Sequence, residues 1–144
     1  YMEEKHKQNA FRLNVFGVDK NRAVCIETTE SGIAVMEDED GLLMRSNHFL
    51  SEKQKEYNAP PEKYPSTYRR YEKGMRFLTE RHGHLRFQDL LMLASDHTDG
   101  SKGAICRHGG EDAITAYSSI CVLEDKQLWT ALGHPCESLI LATQ

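Results

Sequence analysis

Phe11-Arg12-Leu13-Asn14-Val15 alternates apolar and polar side chains, and this period of two decides how the fold is read. Successive side chains on an extended chain point to opposite faces, so Phe11, Leu13 and Val15 are expected to share one buried face of a strand that starts near Ala10. Asp19-Lys20-Asn21 is a turn signal, and Ala23-Val24-Cys25-Ile26-Glu27-Thr28 reads as the return strand. Ser31-Gly32 punctuates the chain ahead of Ile33-Ala34-Val35-Met36. The acidic turn Glu37-Asp38-Glu39-Asp40-Gly41 then leads into a fourth run, Leu42 to Phe49. Four short strands joined by tight turns predict an antiparallel meander. Residues 1–9 ahead of it are polar and form an entry segment.

Beyond Leu50 the character changes. Residues 51–65 hold three of the four prolines, at 60, 61 and 65, and predict a long loop of the kind that often carries function. Ser66 is placed as a helix N-cap. Tyr68, Tyr71, Met75 and Leu78 follow at helical spacing, and Gly83 closes the element. Phe87, Leu90, Leu91 and Ala94 form a second helical stripe, so a helical hairpin is expected. Strand signals then return over Ile114 to Leu123, Leu128 to Leu132 and Leu139 to Ala142, with Asp125-Lys126 as a hairpin turn. Strands, a helical pair and more strands predict an α+β domain with largely antiparallel sheets.

Composition bounds the function. The 144 residues suit one domain, and 39% hydrophobic with 28% charged residues is a globular balance. Eighteen Lys and Arg against twenty-two Asp and Glu give a net charge of −4, which argues against nucleic acid as a partner. No apolar run reaches the roughly 18 residues of a membrane span, and no signal peptide is evident, so neither a membrane nor export is expected. Cys25, Cys106, Cys121 and Cys136 are too few and too scattered for a disulfide scaffold, and a cytoplasmic setting with reduced thiols is the expectation.

Four chemistries can be weighed on residues alone. Cys106-x-His108 and His134-x-Cys136 could each supply two ligands to zinc. Side chains two apart on a strand share a face at no cost, however, and no Cys-x-x-Cys spacing supports the pairs, so no metal or other cofactor is expected. A self-contained thiol enzyme would use Cys106, its pKa lowered by Arg107, with His108 as base. Residues two apart on a strand point the same way without touching, which disfavours it. Asn47, near the end of the fourth apolar run, could donate its amide to an oxyanion or simply close an Asx turn. Arg69-Arg70 could be a solvated face or a grip on a carboxylate or phosphate.

The order of motifs adds a resemblance. Asp40-Gly41-Leu42-Leu43 leads into Ser46-Asn47-His48-Phe49-Leu50, and Ser66-Thr67-Tyr68-Arg69 opens a helix. Asp96-His97, Ile105-Cys106-Arg107-His108, Thr115 to Leu123 and Gly133-His134-Pro135-Cys136 follow. From about Ala10 to Leu141 this series resembles the penicillin acyltransferase (acyl-coenzyme A:6-aminopenicillanic acid acyltransferase) family of N-terminal-nucleophile hydrolases. The resemblance implies an αββα sandwich and a precursor that cuts itself to expose an N-terminal Cys. That thiol attacks an amide or thioester, with its own α-amine as base; the ordinary α-amine pKa of about 7.7–8.0 suits the task. Asn47 maps onto the oxyanion donor, and Ser66, Arg69 and His108 onto substrate-shaping positions. Ser46 stands where the family has Thr and keeps the hydroxyl. None of the four cysteines matches the nucleophile, which the resemblance puts well upstream.

The expectation is therefore that residues 1–144 are the C-terminal portion of such a domain, with Tyr1 at a cut. This portion would be inactive alone and would need an upstream segment or chain that carries the nucleophilic Cys. Its substrate would be a small amide or thioester. The alternative is a non-catalytic binding or interaction module that retains part of the fold. Either would leave an apolar sheet face for a partner or a homo-oligomer to cover.

Overall fold

The computed structural model describes residues 12–109 and 113–143. Ala10, Phe11 and the entry segment lie outside the described residues, as do Gly110, Glu111 and Asp112. Among the described residues the protein is a small α+β structure with two antiparallel three-stranded sheets and two α-helices. Its contacts divide it into two compact units, up to Tyr68 and from Arg69 onward. No helix among the described residues is long and apolar enough to cross a membrane.

The first unit is built on strands β1 (Leu13–Val18), β2 (Ala23–Thr29) and β3 (Gly32–Glu37), paired in that order. Asp19 makes the first turn, its carboxylate accepting from the backbone N–H groups of Asn21 and Arg22 at 2.7 and 3.1 Å. Those two bonds hold its pKa below the usual carboxylate range. Three of the four expected strands form the antiparallel meander, but the buried face is not the expected one. Leu13 is 48% and Val15 38% exposed. By register Leu13 lies beside Thr28 and Val15 beside Ile26, and Ile26 in turn lies beside Val35, which is 58% exposed. Cys25, Glu27 and Thr29 project to the opposite side and are fully buried, because residues 45–54 cover that side.

The fourth predicted strand is the second correction. Leu42 makes only an isolated bridge to Glu39, and residues 43–50 join no sheet. Side chains satisfy the backbone there instead. Asn14 Nδ2 donates to the Ser46 carbonyl at 2.8 Å, and the Asn47 N–H donates to Thr67 Oγ1 at 2.8 Å. Asn58 brackets Phe49, accepting from its N–H at 2.7 Å and donating to its carbonyl at 2.8 Å. The Glu27 carboxylate accepts from Leu50 and Ser51 N–H at 2.7 and 2.9 Å. Buried backbone groups need partners, and here they find them without a neighbouring strand.

Residues 51–64 are irregular, as expected, apart from a short 3₁₀ turn at Lys55–Tyr57, whereas Pro65, placed in the loop, already begins the helix. Yet Gln54 within them is fully buried: its Nε2 donates to the Gly32 carbonyl, and its Oε1 accepts from Thr29 and Ser31 hydroxyls. Helix α1 (Pro65–Glu80) starts one residue before the position given to Ser66 as a cap. Proline suits a first helical position because its φ is already helical and it has no N–H to leave unpaired. Ser66 therefore stands inside the first turn. Gly83 follows the helix at φ 74°, a left-handed turn that glycine adopts without strain.

The second unit carries the rest of α1, helix α2 (Phe87–Ala94) and strands β4 (Tyr117–Val122), β5 (Gln127–Leu132) and β6 (Ile140–Thr143), ordered β4-β5-β6. Asp89 accepts from the Arg86 N–H at 2.9 Å at the start of α2 and forms an ion pair with Arg81 at 3.6 Å. Phe87 packs on Trp129 of β5 with ring centroids 5.1 Å apart. Ile120 and Ala131 are buried in this sheet. Lys126 takes the left-handed position of the β4–β5 turn at φ 54°, where the sequence places a hairpin.

Candidate functional site

In the first unit, the residues around Asn47 converge on one hydroxyl. Thr67 Oγ1, buried, lies 2.7 Å from Ser46 Oγ, 2.8 Å from the Asn47 N–H and 3.0 Å from His48 Nδ1. A hydroxyl offers one proton and two lone pairs, so these three contacts fill its whole capacity. The buried His48 ring also stacks on Tyr68 at 4.3 Å. Asn47 itself is exposed. Its main chain is thus fixed from beneath while its residue stands at the surface of the unit.

A charge supports the same segment. Glu27 has no exposed surface, and the Arg45 side chain retains 7%; their nearest charged atoms are 3.7 Å apart. Arg45 donates to the Met44 carbonyl at 2.6 Å. Neighbouring Cys25 is raised above the usual thiol value by burial, with the Arg45 charge opposing only in part.

In the second unit, histidines and cysteines gather. His97, just beyond α2, places Nε2 3.0 Å from His108 Nε2. The same His108 atom is 3.8 Å from Cys106 Sγ and 3.1 Å from Cys136 Sγ, and the two sulfurs are 3.6 Å apart. All four ligand atoms lie within 4.8 Å of one another. His108 Nδ1 faces Glu137 Oε1 at 3.4 Å, and the ring stacks on His134 at 3.8 Å between centroids.

Backbone and charge hold the cluster's loops. The Asp96 carbonyl accepts from Ile105 and Cys106 N–H at 3.1 and 2.9 Å. Lys73 on α1 bonds the Asp96 carboxylate at 2.7 Å, the Thr98 carbonyl and hydroxyl at 2.8 Å each, and the Gly103 carbonyl at 3.0 Å. Burial alone would raise the Asp96 carboxyl, but hydrogen bonds from Lys73 and Thr98 outweigh it and hold its pKa low.

The predicted residues fall as follows. Asn47 sits in the Thr67 network, and Ser66 is half-buried beside Thr67 in the chain. Arg69 is exposed; its neighbour Arg70 is the half-buried one, its pKa lowered by burial and by the like charge of Arg107. His108 belongs to the histidine–cysteine cluster. Cys106 and His108 do approach one another, because residues 105–107 bend rather than run as a strand. The expected lowering of the Cys106 thiol by Arg107 does not occur: burial, with the contact to Cys136, pushes it up to about 11. A thiol kept protonated at neutral pH is a poor nucleophile.

Sequence reasoning missed His97 and Thr67 as parts of these arrangements. The Asp96-His97 and Ser66-Thr67-Tyr68-Arg69 motifs contain them, but nothing in the local pattern gave either a role. No known protein-family profile matches this chain, and no curated protein matches it.

Proposed function

We propose that the chain is the C-terminal part of a Cys-dependent N-terminal-nucleophile amidase or acyltransferase, built on part of an αββα sandwich, with Asn47 as the oxyanion donor. The nucleophilic Cys comes from an upstream polypeptide and attacks a small amide or thioester. Water or an amine then takes the acyl group. The observation that carries this reading is the anchoring of Asn47: its N–H is fixed by Thr67, and its neighbours Ser46 and His48 by the same hydroxyl, at an exposed position. An oxyanion donor works by being held in place before charge develops, so that no reorganisation is needed during reaction. The resemblance of the Ser46-Asn47-His48 motif points to the side-chain amide of this same residue as the donor, and the Thr67 bond to its main chain holds that residue in place. Cys25, fully buried, is not placed to act as that nucleophile.

The alternative, a binding or interaction module that retains part of the fold, is favoured by one observation. Leu13, Val15 and Val35 leave apolar surface of the first sheet open to water. The same surface would equally receive the upstream polypeptide or a second copy of this chain.

The test is turnover of an acyl thioester or acyl anilide by the protein recovered with its partner, whose N-terminal Cys is identified by intact mass. Asn47→Ala is expected to lower kcat about 10²–10³-fold with KM little changed. Thr67, a positioning residue, should lower kcat when changed to Val and recover when changed to Ser. An unchanged kcat in Asn47→Ala, or the absence of any polypeptide beginning with Cys, overturns the proposal.

A further inference from the structure

We infer that His97, Cys106, His108 and Cys136 bind one zinc ion as a tetrahedral Cys2His2 set. The distances are the first argument. Zinc bonds sulfur at about 2.3 Å and imidazole nitrogen at about 2.0–2.1 Å, so a tetrahedron has edges of about 3.8 Å for S–S, 3.6 Å for S–N and 3.3 Å for N–N. Four of the six edges here are 3.6 Å for Cys106–Cys136, 3.8 and 3.1 Å from His108 to the two sulfurs, and 3.0 Å for His97–His108, and the two from His97 to the sulfurs are at most 4.8 Å. Those four agree with a common centre to within about half an ångström of the zinc value.

The second argument is hydrogen-bond capacity. A neutral imidazole Nε2 either donates one proton or accepts one, yet His108 Nε2 faces three polar atoms at once. One imidazole nitrogen cannot hydrogen-bond to all three at once; a cation among the four atoms would meet them all. Two thiolates and two neutral imidazoles also cancel the charge of a divalent ion.

The third argument is the outer shell. A ligating histidine ordinarily donates its other ring N–H to a carboxylate or carbonyl, which fixes the tautomer that leaves the ligating nitrogen bare. Glu137 Oε1 stands 3.4 Å from His108 Nδ1, an ion-pair contact on the side of the ring where such a partner belongs. The soft sulfur pair selects zinc over magnesium or calcium, which take oxygen ligands. Four protein ligands leave no open position, so the site is structural: it ties the segment after α2, the bend at 105–107 and the turn before β6, none of which is regular structure.

This inference is independent of the acyl-transfer reading, and its test does not involve turnover. The 144-residue chain, purified under reducing conditions with zinc and dialysed, is analysed for bound metal. Cobalt then replaces zinc as a spectroscopic probe. One zinc per chain is expected, with a thiolate-to-cobalt absorption band and tetrahedral ligand-field bands. Chelation should lower the melting temperature and zinc should restore it. Cys136→Ser and His97→Ala lose binding, whereas Cys121→Ser keeps it. Glu137→Gln, an exposed change that spares the fold, weakens binding about 10–100-fold. Zinc-free protein without a thiolate–cobalt band overturns the inference. So does a Cys106–Cys136 disulfide in the reduced preparation, or unchanged zinc affinity in Cys136→Ser.

Discussion

Replacing Glu27 tests the central structural claim, that side chains rather than a neighbouring strand hold residues 46–51. Glu27 has no exposed surface and accepts from the Leu50 and Ser51 N–H groups at 2.7 and 2.9 Å, with Arg45 at 3.7 Å. A hydrogen bond to a charged group contributes about 1.5–3 kcal/mol, so the two together come to about 3–6 kcal/mol. Removing one partner of a buried ion pair generally costs about 3–5 kcal/mol, because the other charge is left without compensation. The two routes overlap near 4 kcal/mol for Glu27→Ala, a large share of the roughly 5–15 kcal/mol that holds a domain folded.

Glu27→Gln keeps the shape and one carbonyl oxygen but sets an amide donor against one of the N–H groups. It should cost less, about 2–3 kcal/mol. Urea denaturation reads the difference: with a slope of about 1.5 kcal/mol/M, Glu27→Ala moves the midpoint down by roughly 2–3 M. Amide exchange gives a local readout that needs no two-state assumption: the Leu50 and Ser51 amides should lose protection first. A midpoint within about 0.5 M of the parent at unchanged slope, with Leu50 and Ser51 still protected, would refute the reasoning.

Two further outcomes are expected. Val15→Ser and Val35→Ser should each cost less than about 1 kcal/mol, because these side chains already face water, and should reduce any self-association seen by sedimentation; a loss of several kcal/mol would put them back in a core. Thiol labelling followed by mass spectrometry should modify exposed Cys121 well before Cys25. The thiolate is the reactive form and burial raises the Cys25 pKa, so its fraction at pH 8 is small and its labelling should still climb as pH passes the ordinary thiol range; equal rates for the two would contradict the buried placement.

Much of the α+β order was legible because it rests on local signals. The Asp19 turn, the Lys126 hairpin and the two helical stripes each depend on residues a few positions apart. What failed depends on distant partners. The alternation through Leu13 and Val15 correctly marks a strand, but the period is symmetric: it says that two faces differ, and not which of them is covered. Here the covered face carries Glu27 and Thr29, polar side chains that can be buried only because Arg45, Gln54 and the Leu50–Ser51 backbone meet them. Leu42 to Phe49 was misread for the related reason that an extended, apolar run has the same pattern whether a strand or a set of side chains takes its hydrogen bonds.

The histidine–cysteine cluster shows the same limit in chemistry. Short spacing makes a metal motif readable when a turn delivers two ligands together, and Cys106-x-His108 was the one such pair that the structure uses. The expected partner pair, His134-x-Cys136, divides: Cys136 points its sulfur at the cluster, while His134 stacks on the His108 ring. The fourth member, His97, stands nine residues before Cys106, too far for any local rule to join them. What brings it in is the fold of the intervening loop, where the Asp96 carbonyl takes the Cys106 N–H and Lys73 clasps Asp96, Thr98 and Gly103. Lys73 lies on another element and carries no metal-site signal of its own. A ligand set assembled by a distant lysine is therefore invisible to spacing, yet it is as determined by the sequence as a Cys-x-x-Cys turn.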